Sequence, residues 1–463
     1  MKNNKALCCF PLETLSRDLD PRLHLGLQSI KKGYSCVIGS KSGVAKQMFK
    51  QNLPFIYFDK GLDALAEDFY KNIKVSKGAV VSLDEEGGVY NEKLYKSELL
   101  ARNRENVLKY VDLFFTWGEK QKKILLENTS VPEKKIIASG HPRFDLCKPK
   151  FKKFRSALLN INSSIKEKYI LINSTFTAAN TFLSFEEEIK LRLNARGDKS
   201  IDIKYERLLY DYRKLLINYF FEAITEISKK FPEFTIVFRP HPGENYEYYK
   251  TLFHELKNVV VTGDGSVQDW ISNSSMVLHH DCTTAIEAFF SEKFIFSYCP
   301  IKDDNFVQSL PIEISNIITN QDQLLKVIDE IKNASNDQKQ NRIARDLIRP
   351  VIANVDFESS NIIIKALEHI TFEISDTPKI NKNIFLKNLF NKILKKFKRD
   401  SNSSIFWGNK LKLRQKLKFP SLNIEEIEMK VSLLRDVDKS LPQVKIEQVY
   451  KDTYLISRML NSQ

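Results

Sequence analysis

Twice along this chain, short and almost continuously apolar runs alternate with segments of helical spacing, and that rhythm admits few folds. In the first series the runs are Ala6–Phe10, Tyr34–Gly39, Pro54–Phe58, Ala79–Leu83, Asp112–Trp117 and Lys135–Ser139, with Leu19, Leu23, Leu27 and Ile30 marking a helical face after the first. Strands apolar on both faces belong to a parallel sheet that helices cover on each side. A polar, basic stretch from Lys148 to Lys168 breaks the series. It restarts with Tyr169–Asn173, a long helix over about 202–230, strands at Phe234–Phe238, Asn258–Thr262, Met276–His279 and Lys293–Ser297, and helices to about Ile370. The expectation is an α/β protein of two Rossmann-like domains, residues 1–150 and 168–373, facing a cleft at the carboxyl ends of their strands. A basic helical extension follows over 379–463.

The size agrees, since 463 residues exceed one ordinary core and fit two domains with an extension. With 42% hydrophobic and 28% charged residues the chain reads as soluble and globular. No apolar run approaches the ~20 residues that cross a bilayer. Ala6–Leu12 is short for a signal peptide, and Glu13, Arg17 and Asp18 interrupt it, so it reads as a strand. The six cysteines form no C-x-x-C pair and lie mostly in apolar runs, which fits buried thiols in a reducing cytoplasm. Net charge is +14, but thirteen Lys and Arg fall between Lys379 and Lys418 against the single Asp400. The rest is nearly neutral, which argues against a general nucleic-acid-binding surface and for a local basic tail. Neither G-x-G-x-x-G nor a P-loop pattern occurs, so dinucleotide and P-loop readings lose ground.

Four constellations at strand ends carry chemistry. Asp84-Glu85-Glu86-Gly87-Gly88 follows the strand Ala79–Leu83; three crowded carboxylates repel one another, and a carboxylate raised in this way serves as a general base or a nucleophile. The competing reading is a solvated acidic turn. Arg239-Pro240-His241-Pro242-Gly243-Glu244 follows Phe234–Phe238, and its two prolines present His241 stiffly beside Arg239, in a form suited to an anion. His279-His280-Asp281-Cys282-Thr283-Thr284 ends a strand where a helix starts, with Glu287 in the first turn; hydroxyls and free N–H groups there suit an anion, while plain N-capping is the alternative. A metal is not expected, because no fourth ligand stands at a characteristic spacing. His141 and Arg143, in Gly140-His141-Pro142-Arg143-Phe144-Asp145, and Lys60, after Pro54–Phe58, are weaker candidates for the cleft, with a structural turn equally open for the former.

These residues resemble bacterial surface carbohydrate biosynthesis proteins over most of residues 5–370. The resemblance rests on P-L-E-T-L-S-R-D, Y-F-D-K-G, D-E-E-G-G, F-F-T-W-G, G-H-P-R-F-D and R-P-H-P in this order. It implies a glycosyltransferase-like protein of lipopolysaccharide or capsule synthesis with the two-Rossmann, GT-B plan. A more distant resemblance is to bacterial sialyltransferases and Kdo transferases. Glu85-Glu86-Gly87 is similar to their acidic motif, His241-Pro242 to their H-P motif, and Thr283-Thr284 to their paired Ser/Thr motif. That implies a catalytic acid among Asp84, Glu85 and Glu86, and a phosphate held by His241, Thr283 and Thr284. The function expected is transfer of a 3-deoxy-2-keto acid (Kdo or a nonulosonate) from a CMP-sugar co-substrate to a glycan or lipid-linked acceptor, with no further cofactor. A UDP-sugar or CDP-glycerol donor on the same fold, or a non-catalytic scaffold, are the alternatives. Asn383–Arg399 pairs an apolar stripe with lysines and is expected to lie on the anionic inner face of the cytoplasmic membrane, the alternative being a helix packed back on the first domain, as the segment after Pro420 with Ile424, Ile427, Val431 and Leu434 reads.

Overall fold

A computed structural model describes residues 5–50, 53–62, 66–87, 91–159, 165, 168–196, 201–332, 342–372 and 418–459. The basic helix expected at Asn383–Arg399 lies outside the described residues. The chain forms two compact units. The first comprises Met1–Gly88, Leu94–Leu146 and Ile348–Gln463, the second Val89–Lys93 and Cys147–Leu347. Each is built on a sheet of Rossmann type.

In the first unit, β1 (Leu7–Leu12), β2 (Ser35–Ser40), β3 (Phe55–Asp59), β4 (Ala79–Leu83), β5 (Leu113–Thr116) and β6 (Ile136–Ala138) run parallel in the order β2-β1-β3-β4-β5-β6. β1 is central, with Leu7 beside Ser35 on one side and Phe55 on the other. The order therefore reverses between β1 and β3. The helix Leu15–Lys31 packs on β1 and β2, and 14 of its 17 residues are buried. So enclosed a helix must pair its polar side chains, and partners from far along the chain meet them. Lys430 donates to Asp20 at 2.8 Å, the Ser360 hydroxyl lies 3.3 Å from the His24 ring, and Gln28 donates to Asp438 at 3.4 Å. Asp18 closes the turn before the helix by accepting the N–H groups of Glu13 and Thr14 at 3.0 and 2.9 Å. Gly26 lets helix and sheet meet, because a Cβ there would stand 2.9 Å from Cys36 Sγ.

The last part of the first unit comes from the C-terminal quarter. Where the sequence reading carries the second domain to residue 373, the chain is back on the first unit from Ile348. The helix Ser359–Leu367 packs on Leu15–Lys31, and so does Ile424–Val437, through buried Ile427, Val431 and Leu434. The extension does not stay helical. β13 (Val444–Tyr450) and β14 (Thr453–Arg458) form a hairpin, and β14 pairs antiparallel with β2 from Thr453↔Gly39 to Ile456↔Cys36, lengthening the sheet to eight strands.

In the second unit, β7 (Tyr169–Asn173), β8 (Thr235–Arg239), β9 (Val259–Val261), β10 (Met276–His279), β11 (Ile295–Tyr298) and β12 (Asn316–Ile318) are all parallel, in the order β12-β11-β10-β7-β8-β9. The order reverses between β7 and β10, the place where open α/β sheets bind ligands. The helix Ile203–Lys230, capped by Asp202 through the Tyr205 N–H at 3.1 Å, buries Leu216, Phe220, Ala223 and Ile227 against the sheet. Full burial of a side chain of Leu or Phe size contributes about 1.5–3 kcal/mol, which holds this helix far more firmly than its propensity. All six cysteines are buried, and none of them forms a disulfide. Among the described residues no helix is long and apolar enough to cross a membrane.

Candidate functional site

At the reversal point of the second unit, the ends of β7 and β10 are tied by side chains. Asn173 Nδ2 donates to Thr284 Oγ1 at 3.0 Å, and the Thr175 hydroxyl to Asp281 Oδ1 at 2.8 Å. Asp281 is held further by both Nη groups of Arg213, at 2.9 and 2.8 Å, and by the Gln308 N–H at 3.2 Å. Burial alone would raise its carboxyl, but the Arg213 guanidinium holds it well below the usual range. The end of β8 joins the same cluster. The His241 N–H donates to Ser174 Oγ at 3.1 Å, while His241 Nδ1 accepts the Gly243 N–H at 3.1 Å and lies 3.2 Å from the Thr177 hydroxyl. With Nδ1 accepting, the neutral ring carries its proton on Nε2. His241 and Pro242 are exposed, and Thr175, Thr177, Thr283 and Thr284 are half-buried. His241 thus stands after β8, and Thr283 and Thr284 after β10, the two strands that flank β7. The helix after them, Thr284–Phe290, has only seven residues, and Thr283 makes no capping bond.

The other candidates of this unit face elsewhere. Arg239 was expected to meet an anion. Its guanidinium instead donates to the carbonyls of Asp264, Gly265 and Gly263 at 2.6, 3.1 and 3.3 Å and lies over the Trp270 ring at 5.4 Å. Burial pushes it down to about 10, and it fastens the loop after β9. Glu287 is buried, with Gln268 Nε2 at 3.4 Å from its Oε1. His279 lies between the Cys282 N–H and Ser315 Oγ, and burial pushes it down to about 3. His280 donates from Nδ1 to the Tyr298 carbonyl at 2.9 Å and accepts the Tyr212 hydroxyl at 2.8 Å. His279, His280 and Asp281 therefore turn to three different sets of partners.

In the first unit the acidic triplet is split. Asp84 and Glu85 are buried, at 0% and 3% exposure, whereas the Glu86 side chain is 62% exposed. Asp84 accepts Arg102 Nη2 at 2.8 and 2.6 Å and Gln121 Nε2 at 3.0 Å, and burial still raises its carboxyl above the usual value. Gly87 makes room for this, since a Cβ there would meet the Gln121 amide at 2.6 Å. Glu85 accepts Arg22 Nη2 at 2.9 Å on Oε1, and its Oε2 lies 3.3 Å from His141 Nε2. His141 Nδ1 accepts the Arg143 N–H, so the neutral ring carries its proton on Nε2, the nitrogen beside Glu85. Against the cost of burial, His141 and Arg22 hold Glu85 well below its usual range, while burial lowers His141. Glu86 keeps one oxygen on Arg102 Nη1 at 2.8 Å. Lys60 pairs with Glu13 across the reversal between β1 and β3, and its carbonyl accepts the Glu85 N–H at 2.8 Å. Against burial, the ammonium keeps Glu13 below its usual value.

No family model matches the sequence, and no curated protein matches it. Solved structures do resemble it. The wall teichoic acid polymerase TagF, in a variant soaked with CDPG, aligns over 79% of this chain and 88% of its own at 11% identity and a TM-score of 0.48. The UDP-GlcNAc 2-epimerase of Methanocaldococcus jannaschii, in complex with UDP-GlcNAc and UDP, covers 79% of this chain and 100% of its own at 13% identity and a TM-score of 0.45. Another UDP-N-acetylglucosamine 2-epimerase covers 82% and 100% at 13% identity and 0.47.

The G-H-P-R-F-D motif has a use that its sequence does not disclose. Asp145 accepts the N–H groups of Ser359 and Ser360 at 2.8 and 2.9 Å, the Ser360 hydroxyl at 2.9 Å and Asn354 Nδ2 at 2.8 Å. Gly140, at φ +74°, leaves space that Asn354 fills, and Asn354 Oδ1 accepts the His141 N–H at 3.2 Å. Arg143 lies over the rings of Trp117 and Phe144, 5.0 Å from each. The motif is the seat of the returning chain. Sequence reasoning also passed over Arg22, Arg102 and Gln121. Arg22 lies in the turn after the P-L-E-T-L-S-R-D motif, but nothing local marks its partner 63 residues away.

Proposed function

We propose that the chain is a glycosyltransferase of bacterial surface-polysaccharide assembly whose second unit binds a nucleotide-activated donor. The observation that carries this reading is the joining of Asn173, Ser174, Thr175, Thr177, His241 and Thr284 where the strand order of the second sheet reverses. The exposed or half-buried groups there are the His241 imidazole and the hydroxyls of Thr177, Thr283 and Thr284, while the Ser174 and Thr175 hydroxyls are given to Glu244 and Asp281 and the guanidiniums of Arg239 and Arg213 to loop carbonyls and to Asp281. Such a set suits a phosphodiester of one negative charge better than a diphosphate, which favours a CMP-linked sugar of the 3-deoxy-2-keto acid kind. His241 Nε2–H and the threonine hydroxyls would stabilise the departing CMP by hydrogen bonding.

Proton removal from the acceptor hydroxyl is assigned to the acidic triplet of the first unit. Of its members Glu86 faces solvent, whereas Asp84 and Glu85 are closed round by donors. Calorimetric titration with CMP, CDP, UMP and UDP tests the donor. We expect CMP to bind and His241→Ala to weaken it about tenfold or more, the worth of one charge-assisted hydrogen bond. Tighter binding of CDP or UDP selects CDP-glycerol or a UDP-sugar as donor, and binding of none of the four overturns the reading. Because the chain would serve a lipid-linked acceptor, we place it at the cytoplasmic membrane surface through its basic tail.

A further inference from the structure

Beneath His241 lies a carboxyl group that this reading does not use. Glu244 is fully buried at the end of the loop after β8, two residues before the helix Tyr246–Leu252. Its Oε2 accepts the Ser174 hydroxyl at 2.6 Å and the Tyr249 hydroxyl at 2.8 Å, and its Oε1 accepts the Phe176 N–H at 2.7 Å. Two of these donors belong to the turn after β7, and that turn grips His241 twice. Ser174 Oγ takes the backbone N–H, and the Thr177 hydroxyl lies against Nδ1. Glu244 also closes its own loop by donating its N–H to the His241 carbonyl at 2.8 Å.

Resting on the nucleotide reading of this site, we propose that Glu244 is a positioning residue that holds the His241 ring in its binding orientation through Ser174 and the 174–177 turn. The ionised carboxylate receives three donors at once. A protonated carboxyl carries a hydrogen of its own, so one of the three bonds must break or reverse, and the turn under His241 loosens. Burial pushes Glu244 up to about 7, opposed by the hydrogen bonds from Ser174, Tyr249 and Phe176 and by the Arg213 charge. Tyr249 and Tyr246, from the helix Tyr246–Leu252, are themselves raised and neutral near pH 7. The exposed group over this turn is His241. A cationic imidazole would strengthen phosphate binding toward acid, whereas the Glu244 effect strengthens it toward base, so the two are separable by sign.

The test is CMP and CDP affinity of the intact protein at pH 6 and pH 8, for wild type, Glu244→Gln and Ser174→Ala. Wild type is expected to bind about tenfold more tightly at pH 8 than a trend set by His241 alone allows, the effect of one hydrogen bond to a charged group. Glu244→Gln should bind at the weaker level at pH 8 and lose this basic-side gain. Ser174→Ala cuts the same link without touching the carboxyl, and supplies the same readout should the Gln variant not fold. Wild-type affinity at both pH values in either folded variant overturns the proposal. So does a loss of equal size at both, which marks a merely structural role. If wild type binds neither nucleotide, the nucleotide reading itself fails and the proposal falls with it.

Discussion

Glu85 and Glu86 are neighbours of one residue type with opposite surroundings, and that contrast separates folding from chemistry. Glu85→Gln leaves the buried Arg22 guanidinium without its counter-charge, a change that costs about 3–5 kcal/mol. Glu86→Gln touches one exposed contact with Arg102 and should alter stability by no more than about 0.5 kcal/mol. Under the proposed mechanism it should nevertheless reduce turnover by about a hundredfold or more. Thermal melts beside donor-turnover assays check both expectations; a Glu86→Gln protein with wild-type turnover leaves the triplet a folding role alone. Glu244 makes a second prediction at this scale. Its pKa rises from an ordinary 4.5 to about 7 on folding, so the folded state binds the extra proton between those values. Stability from this group is full below the lower value and is lost as pH rises through about 7, on the order of 3 kcal/mol in all. Melting temperatures between pH 5 and 8 should therefore fall less steeply for Glu244→Gln than for wild type.

At the scale of elements, the strands from β1 to β11 were legible because each is an apolar run bounded by a change of spacing, the signature of a strand buried on both faces. β12 was not, having three residues of which two are exposed. The hairpin escaped for a related reason. β13 lies at the sheet edge, and Lys445, Glu447 and Gln448 interrupt its apolar positions, so its composition matches a solvated helix as well as a strand. His241, Thr283 and Thr284 could be placed just beyond strand ends because the strands themselves were legible. Arg239 was misjudged because its partners, the carbonyls of 263–265, belong to a loop with no pattern of its own. The turn at His141–Asp145 left a cleft feature and a structural turn equally open, because its partners in the returning chain lie more than 200 residues away. Its role predicts the effect of Asp145→Ala, which strips the acceptor from three donors at the start of Ser359–Leu367 and from Asn354. The loss should be about 3 kcal/mol or more, given that several buried donors go unpaired. Limited proteolysis should then cut first within residues 348–372; an unchanged cleavage pattern excludes Asp145 as the anchor of that segment.

For the molecule as a whole, chain order and compact unit do not coincide, and this decides what can be cut away. The second unit is nearly continuous, from Cys147 to Leu347, with its own core around Ile170, Phe220, Phe238 and Leu278. The first unit needs both ends of the chain. Asp20 is buried against Lys430, Asp145 against Ser359 and Ser360, and β2 has β14 as its outer neighbour. Removing everything after Ile348 leaves Asp20 and Asp145 buried without these partners, exposes the apolar side of Leu15–Lys31 that Ile427 and Leu434 cover, and opens the edge of β2. A fragment of residues 147–347 is therefore expected to fold alone, with a cooperative melt and the same nucleotide preference as the full chain. Residues 1–146 are expected to be insoluble or unfolded alone, and to gain structure when residues 348–463 are supplied in trans. Circular dichroism melts of the two fragments, with and without the C-terminal piece, measure this. A cooperative melt of 1–146 by itself would show that the C-terminal segments decorate the first sheet without completing its core.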